Sequence, residues 1–213
     1  MRKISKSRLS AERGFTLIEL VIVMAVSLIV TAIAIPNFTS AIRSAHLKGA
    51  VTDFSGLVQI ERIQAVNNDN FYPAYILAGN PQQGFVDVAG RGATTLDPKD
   101  PVIQINSEIV PMPVGAAPST ASLQALFLPA NATVALYDGS LVVNPITFGS
   151  RGLPCYAGGG QTCKTRVPAG DVAYWIFFQH SLSQNWAAVT VTPAGRVQRW
   201  LFTGGAAGTW AKY

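Results

Sequence analysis

The chain is poor in the residues from which active sites and metal centres are usually built. Its 213 residues include only two histidines and two cysteines, and charged residues make up 13% of the sequence. Two thiols without histidines at ligand spacing make a poor zinc site. His46 and His180 are accompanied by no nucleophile elbow or other local catalytic signature. We therefore expect no enzymatic activity, no cofactor, no metal and no small-molecule substrate.

Acidic residues are scarce near the C-terminus. Residues 139–213 hold six lysines and arginines but only one acidic residue, Asp171, whereas residues 40–138 hold five basic and eight acidic residues. The two segments therefore carry net charges of +5 and −3. An asymmetry of this kind suits the binding of polyanions or acidic neighbours, and it is equally compatible with an ordinary solvated surface.

What the chain has instead is one long apolar run. Residues 13–36 read RGFTLIELVIVMAVSLIVTAIAIP, and polar side chains interrupt the run only at Thr16, Glu19, Ser27 and Thr31. About 20 apolar residues are enough to cross a bilayer as a helix. Because lysine and arginine favour the cytoplasmic side, the basic residues before the run predict that the C-terminal bulk is exported. These basic residues are Arg2, Lys3, Lys6, Arg8 and Arg13.

The N-terminal residues resemble those of the type IV pilins and the pseudopilins of type II secretion. The resemblance rests on Gly14 followed by Phe15, on Glu19 four residues later and on Pro36. It implies that a prepilin peptidase cleaves after Gly14 and methylates the new N-terminus at Phe15, and that Pro36 marks a helix kink. An ordinary secretory signal would place its small-residue cleavage site after the apolar stretch. The apolar helix is therefore expected to remain in the mature protein.

Glu19 has two interpretations. A carboxylate inside an apolar spanning helix is costly and by default has a partner. After cleavage, a neighbouring subunit can present its protonated Phe15 amine to Glu19, which would favour staggered assembly of helices. Alternatively, Glu19 caps the first turn of the helix, where an acidic residue suits the helix dipole. The position of Glu19 in the motif favours the assembly interpretation.

Removal of the leader changes the charge of the chain. Residues 1–14 hold five of the sixteen basic residues and one of the eleven acidic residues, Glu12. Eleven basic and ten acidic residues then remain, so the net charge falls from +5 to +1. Most of the basicity is thus a topology signal rather than an indication of nucleic-acid binding.

A second helical pattern follows the apolar run. Apolar residues recur mostly at steps of three and four between residues 42 and 66, which predicts an amphipathic helix that ends at the polar stretch 67–70. The chain then divides into four parts. These are a leader (1–14), a transmembrane and assembly half of the helix (15–36), an amphipathic half (37–67) and a periplasmic β-rich domain (68–213).

After residue 70 the chain consists of short β-like runs separated by turn residues. Asp138-Gly139 predicts a hairpin, and Pro193-Ala194-Gly195 predicts a tight turn. Residues 106–122, rich in proline, alanine and serine, predict a loop or an insertion. No helix is predicted here. The fold class is α+β and pilin-like, with one long N-terminal helix packed against a C-terminal antiparallel β-sheet domain. The predicted strands are 71–77, 84–88, 102–105, 123–128, 133–137, 140–143, 145–148, 172–178, 186–192 and 196–203.

The two cysteines flank a glycine-rich loop. Cys155 and Cys163 lie at the ends of the segment CYAGGGQTC. In an exported domain, an even pair of this kind is typical of a disulfide. A short bridge of this length should add about 2–3 kcal/mol to the free energy of unfolding, because it restricts the unfolded chain. The pairing also matches the C-terminal disulfides that are common among pilins.

Two later segments resemble the GspH/FimT branch of the pilin family. Residues 146–152 (ITFGSRG) resemble its strand and turn, and residues 189–197 (VTVTPAGRV) resemble its terminal strand, Gly-Arg turn and final strand. The resemblance implies a minor pilin or pseudopilin, a structural subunit of a type IV pilus or a type II secretion pseudopilus. Its partners would be the prepilin peptidase, other pilins in a filament, and inner-membrane lipid before assembly. The C-terminal domain would be periplasmic.

FimT-type members of the branch imply an alternative function, DNA binding during natural transformation through basic residues around a Gly-Arg motif. The candidate contacts here are Arg151, Lys164, Arg166, Arg196 and Arg199. Side chains three residues apart on a strand point to opposite faces. Arg196 and Arg199 could therefore bind the same phosphate only if a bulge turned both side chains to one face of the strand. A scatter of surface charges is the competing interpretation.

Overall fold

One long helix precedes two β-sheets in the computed structural model, which describes residues 15–77, 82–93, 95–157, 162–204 and 208–213. The helices are α1 (Leu17–Asn67) and α2 (Thr120–Phe127), with a short 3₁₀ turn at Val114–Ala116. The first six strands are β1 (Tyr72–Leu77), β2 (Gln82–Val86), β3 (Val102–Ile105), β4 (Ile109–Met112), β5 (Val134–Asp138) and β6 (Ile146–Phe148). The others are β7 (Arg166–Val167), β8 (Gly170–His180), β9 (Trp186–Val191), β10 (Val197–Thr203) and β11 (Thr209–Lys212).

Helix α1 begins two residues after the predicted start at residue 15 and ends at the predicted residue 67. The chain divides into two compact units after Ala41, and α1 contributes to both. Within the second unit the buried residues of α1 recur at steps of three and four, as expected for a helix with one face on a core. The helix ends where Asp69 adopts a positive φ of 47°. The buried residues are Leu47, Ala50, Val51, Phe54, Leu57, Val58, Glu61 and Ala65.

The strands form two sheets. The first has the order β3-β2-β1-β6, and the second has the order β11-β10-β9-β8-β4. Strands that are neighbours in either of these two orders are antiparallel. Strand β5 also pairs with β8, and this pair is parallel. The predicted α+β, pilin-like layout is therefore confirmed, with one parallel pair added to the antiparallel sheets.

The main core lies where α1 packs on both sheets. Phe54 of α1 makes an edge-to-face contact with Phe178 of β8, with ring centroids 5.3 Å apart. Buried residues of the first sheet, such as Ala74 and Val86, belong to the same cluster. Burial of this apolar surface supplies the main driving force that holds the helix on the sheets.

A second core on the opposite face of β8 corrects two predictions. Trp175 and Phe177 pack there with Leu123 and Phe127 of α2. Residues 123–128, predicted as a strand, lie mostly in this helix, and the predicted loop 106–122 contains β4 and the start of α2. The helix forms because its apolar residues cover the outer face of a strand that is apolar on both sides.

The hairpin predicted at Asp138-Gly139 is also wrong. Strand β5 ends at Asp138 in the second sheet, and β6 belongs to the first sheet, so the chain crosses between sheets here. The Asp138 carboxylate accepts the backbone N–H groups of Val114 (2.8 Å) and Ser140 (3.0 Å). Residues 140–143, predicted as a strand, lie in this crossing, whereas the tight turn at 193–195 is confirmed by the 2.8 Å hydrogen bond from Gly195 N–H to Thr192 O.

Candidate functional sites

The first turn of α1 is closed by a capping box. Glu19 Oε2 accepts hydrogen bonds from the backbone N–H (3.0 Å) and the hydroxyl (2.9 Å) of Thr16. The Thr16 hydroxyl oxygen in turn accepts the backbone N–H of Glu19 at 3.3 Å. This reciprocal arrangement satisfies N–H groups that have no partner at a helix start. These hydrogen bonds support the capping interpretation of Glu19. Pairing of Glu19 with a neighbouring subunit stays a prediction.

The apolar part of α1 is exposed. A window of 18 residues has a mean hydropathy of 2.7, and none of it is buried inside the protein. Its polar side chains bond to their own helix, since the Ser27 hydroxyl donates to Val23 O (2.7 Å) and the Thr31 hydroxyl donates to Ser27 O (2.9 Å). By length and composition this helix can cross a membrane. Its exposure separates it from the core helix of a soluble protein and fits a membrane-anchored protein.

Helix α1 continues through Pro36. Proline has no N–H to donate to the carbonyl four residues earlier. Beside it, the Asn37 side-chain amide donates to Ile33 O at 3.2 Å, and the Thr39 hydroxyl donates to Pro36 O at 3.0 Å. These side chains supplement the backbone hydrogen bonds around the proline. The kink implied by the resemblance stays a prediction.

A disulfide joins Cys155 and Cys163, whose Cα atoms are 5.3 Å apart. The backbones of Tyr156 and Lys164 exchange two hydrogen bonds of 2.9 and 3.1 Å beside it. The buried Tyr174 hydroxyl donates to Cys155 O at 2.7 Å. The bridge therefore closes a short loop against the core, and residues 158–161 of that loop lie outside the described residues.

The amphipathic half of α1 carries one fully buried carboxyl group. Glu61 Oε1 accepts the backbone N–H of Phe148 at 2.7 Å. Its other oxygen, Oε2, is buried and has no hydrogen-bond partner among the described residues. Burial raises the pKa of Glu61 well above its ordinary value of 4.5, and the Phe148 N–H opposes this effect only in part. The folded protein therefore favours the uncharged form of Glu61.

The next residue, Arg62, joins the two later segments that resemble the GspH/FimT branch. Its Nη1 donates to Gly195 O at 3.0 Å, and its guanidinium carbon lies 5.9 Å from the centroid of the Phe148 ring. A Cβ atom added at Gly195 would lie 2.7 Å from Gly152 O, so the two turns touch. Both glycines have positive φ values, 68° and 76°, which glycine adopts at low cost. The two segments therefore meet at the C-terminal end of α1.

Some of the predicted DNA contacts lie at this junction. Arg151 adjoins Gly152 and Arg196 adjoins Gly195, so the contact between the glycines brings the two arginines to neighbouring positions. Both arginines are exposed. Lys164 is exposed as well, and its flanking residues line the same cavity of about 440 Å³ as Arg151. The structure thus brings Arg151 and Arg196 to neighbouring positions, whereas Lys164 itself does not line the cavity beside Arg151.

The other two predicted contacts are engaged elsewhere. Arg199 Nη1 donates to the Thr52 hydroxyl at 3.0 Å, and its guanidinium carbon lies 5.2 Å from the centroid of the Tyr213 ring. Arg166 Nε lies 3.7 Å from the carboxylate of Asp171. Arg199 therefore holds α1 to β10 rather than standing beside Arg196.

The structure also brings together three residues for which no function was predicted from the sequence. His46 Nδ1 and His180 Nε2 each lie 3.3 Å from Glu108 Oε2. These residues come from α1, from the end of β8 and from the turn before β4. The sequence held one indication, because they include both histidines of the chain. Nothing in their spacing predicted that they meet.

The comparisons with known proteins concern the N-terminus. Residues 9–35 match the family model of the prokaryotic N-terminal methylation motif. Gly14 and the rest of the leader lie outside the described residues. No curated protein and no solved structure matches the chain. The motif, together with the exposed apolar helix, supports a type IV pilin-like protein that is processed by a prepilin peptidase and assembled with other pilins through its N-terminus.

Proposed function

We propose that the protein is a minor pilin or pseudopilin of the GspH/FimT type. It is a structural subunit of a type IV pilus or of a type II secretion pseudopilus. Before assembly, α1 anchors it in the inner membrane with the C-terminal domain in the periplasm. It carries out no catalysis and uses no small-molecule substrate.

The observation that carries this proposal is the exposed apolar part of α1. A contiguous apolar surface of this size requires a membrane or a protein partner to cover it. In this proposal, processing occurs before the apolar residues, within the segment that matches the methylation motif, and the helix stays attached to the mature chain. Lipid covers the helix before assembly, and neighbouring helices cover it in the filament.

The capping box leaves Glu19 free to serve assembly. Only Oε2 bonds to Thr16, and Oε1 makes no hydrogen bond to the described residues. A carboxylate can accept several hydrogen bonds at once. Glu19 can therefore cap its own helix and still receive the Phe15 amine of a neighbouring subunit. The two interpretations of this residue are compatible.

The junction at Arg62 supports the assignment to the branch. The two segments that resemble the branch are far apart in the sequence, and they touch each other through Gly152 and Gly195. Arg62 binds one of them and packs against the other. Segments that resemble one family and also form one structural unit are better evidence than either segment alone.

Glu19→Gln tests the assembly role directly. Glutamine also serves at this position of a capping box, so the substitution keeps the cap and removes the charge. In cells with an active prepilin peptidase, the variant should insert in the membrane but be strongly depleted from sheared filaments. Ser27→Ala, which removes a hydroxyl bonded only to its own helix, should assemble normally. Glu19→Gln at the wild-type level in filaments would contradict charge pairing.

DNA binding is a second candidate, and it is favoured by the contact between Gly152 and Gly195, the chain neighbours of Arg151 and Arg196. Neutralising phosphates releases condensed counterions, so such binding should weaken steeply with salt. Arg151→Ala together with Arg196→Ala should reduce duplex binding by the full chain in detergent and lower the salt slope by about one unit per lost contact. Arg199→Ala should have little effect, since Arg199 is bonded to Thr52. No binding by the wild type at low salt would remove this candidate.

A further inference from the structure

We propose that His46, Glu108 and His180 form a binding site for a divalent transition metal of the zinc class. The three side chains offer two imidazole nitrogens and one carboxylate oxygen, and these atoms all lie within 4.8 Å of one another. They reach this point from α1, from the turn before β4 and from the end of β8. None of the three has a part in the assembly function proposed above.

The separations fit metal ligands better than hydrogen-bonded groups. Glu108 Oε2 lies 3.3 Å from both His46 Nδ1 and His180 Nε2. A charge-assisted hydrogen bond between nitrogen and carboxylate is shorter, about 2.7–2.9 Å. The ligand atoms of a tetrahedral zinc ion, at bond lengths of about 2.0–2.1 Å, lie about 3.3–3.4 Å apart. The two distances to Glu108 match the second spacing, and the two histidine nitrogens lie within 4.8 Å of each other.

The buried member of the site lacks a hydrogen-bond partner. His180 is 0% exposed, and its Nε2 makes no hydrogen bond to the described residues although it points toward Glu108. A buried polar atom without a partner is unfavourable and is uncommon in folded proteins. A metal ion at this position would satisfy it.

Metal binding requires a change in the turn after β8. Coordination through Nε2 places the ring proton of His180 on Nδ1, where the N–H groups of Leu182 and Ser183 now point from 3.2 and 3.4 Å. Both contacts are at or beyond the long end of hydrogen-bond distances. Leu182 is exposed, so its N–H can turn to water, and the buried Ser183 hydroxyl has no partner among the described residues. A hydroxyl oxygen can accept a hydrogen bond, so the rearranged turn can offer the Ser183 hydroxyl to the Nδ1 proton.

The other features of the site show how a metal ion can enter it and which metal it prefers. The side chains of His46 and Glu108 are 42% and 38% exposed, which leaves an entrance and an open coordination position for water. Asn106 Oδ1 accepts the backbone N–H of Glu108 at 2.9 Å and so orients that residue. The side-chain amide nitrogen of Asn106 lies 3.3 Å from His46 Nδ1, and it must move away when a metal ion binds that nitrogen. Two nitrogens and one oxygen suit zinc, whereas calcium and magnesium prefer oxygen ligands.

The experiment is a titration of the full chain in detergent micelles, after removal of metal with a chelator. Zinc chloride should bind at one ion per chain and raise the melting temperature, because the ion binds the folded state. Magnesium chloride at the same concentration should do neither. Cobalt(II) in place of zinc should give the visible absorption of a low-symmetry N/O site. In amide NMR spectra, zinc should shift the resonances of Leu182 and Ser183.

The variants separate this site from adventitious binding. His46→Ala and Glu108→Gln change exposed side chains, and each should weaken zinc binding more than about 100-fold, since even partners outside the coordination shell are worth 10–100-fold. Asp53→Asn, an exposed carboxylate on the same helix, should bind zinc as the wild type does. No zinc binding by the wild type, or equal binding by His46→Ala and the wild type, would overturn the proposal.

Discussion

Glu61 and Phe148 are joined across 87 residues of sequence by a hydrogen bond of 2.7 Å, in which the backbone N–H of Phe148 donates to Glu61 Oε1. The bond ties α1 to β6 of the first sheet. Because Glu61 is fully buried and its Oε2 has no partner among the described residues, ionisation at this place is costly. The attachment of the helix to this sheet is therefore coupled to the protonation of one side chain.

We expect the contribution of Glu61 to the stability of the folded domain to fall as the pH rises. Burial raises the folded pKa of Glu61 above 4.5, so its contribution to stability is complete below the unfolded pKa and is lost as the pH rises through the folded pKa. In Glu61→Gln, the amide oxygen still accepts the Phe148 N–H and nothing titrates. Urea titrations of both proteins from acid to weakly alkaline pH should show the stability of the wild type falling relative to that of the variant. Parallel pH profiles would exclude an uncharged Glu61.

The contact between the two glycine turns predicts a large effect of one methyl group. Gly195→Ala should reduce the free energy of unfolding by roughly 1–3 kcal/mol, the usual cost of a strained backbone conformation. Its φ is 76°, and the new Cβ would lie 2.7 Å from Gly152 O. Gly56→Ala is the matched control, because Gly56 lies in α1 with no atom within 4 Å of the added Cβ. The control should be more stable than the wild type by about 0.5–1 kcal/mol, and a neutral Gly195→Ala would be evidence against the tight junction.

The disulfide predicts a redox-dependent melting temperature. Removing it by Cys155→Ala with Cys163→Ala should lower the free energy of unfolding by about 2–3 kcal/mol, because the unfolded chain regains freedom. Adding a reductant should lower the melting temperature of the wild type and leave the double variant unchanged. The wild type, purified without reductant, should show no thiol that reacts with an alkylating reagent. Two reactive thiols in the folded protein would be inconsistent with the bridge.

The parts of the fold that follow from local pattern were predictable. The bounds of α1 follow from the long apolar run, from the apolar residues at steps of three and four that come after it and from the polar stretch 67–70 that ends it. Strand β3 occupies 102–105 as predicted, and β1, β9 and β10 begin or end within a residue of their predicted bounds. These elements are fixed by the alternation of their own side chains and by turn residues beside them.

The elements that were missed depend on distant partners. Residues 120–127 fold as α2 because this helix buries Trp175 and Phe177 of β8 on their side of the sheet. The apolar run of β8 held this information, since a strand that is apolar on both faces is buried on both. The meeting of His46 with His180 depends on the packing of α1 against the end of β8. The residues around 120–127 and around His46 do not themselves predict these partners.

The mass of the mature chain tests the account most directly. The protein should be isolated from cells with an active prepilin peptidase and measured intact by mass spectrometry. If it is a pilin-like subunit assembled through its N-terminus, the mass should correspond to residues 15–213 with one added methyl group on Phe15. A mature chain that begins after Pro36, without the apolar helix, would contradict the account.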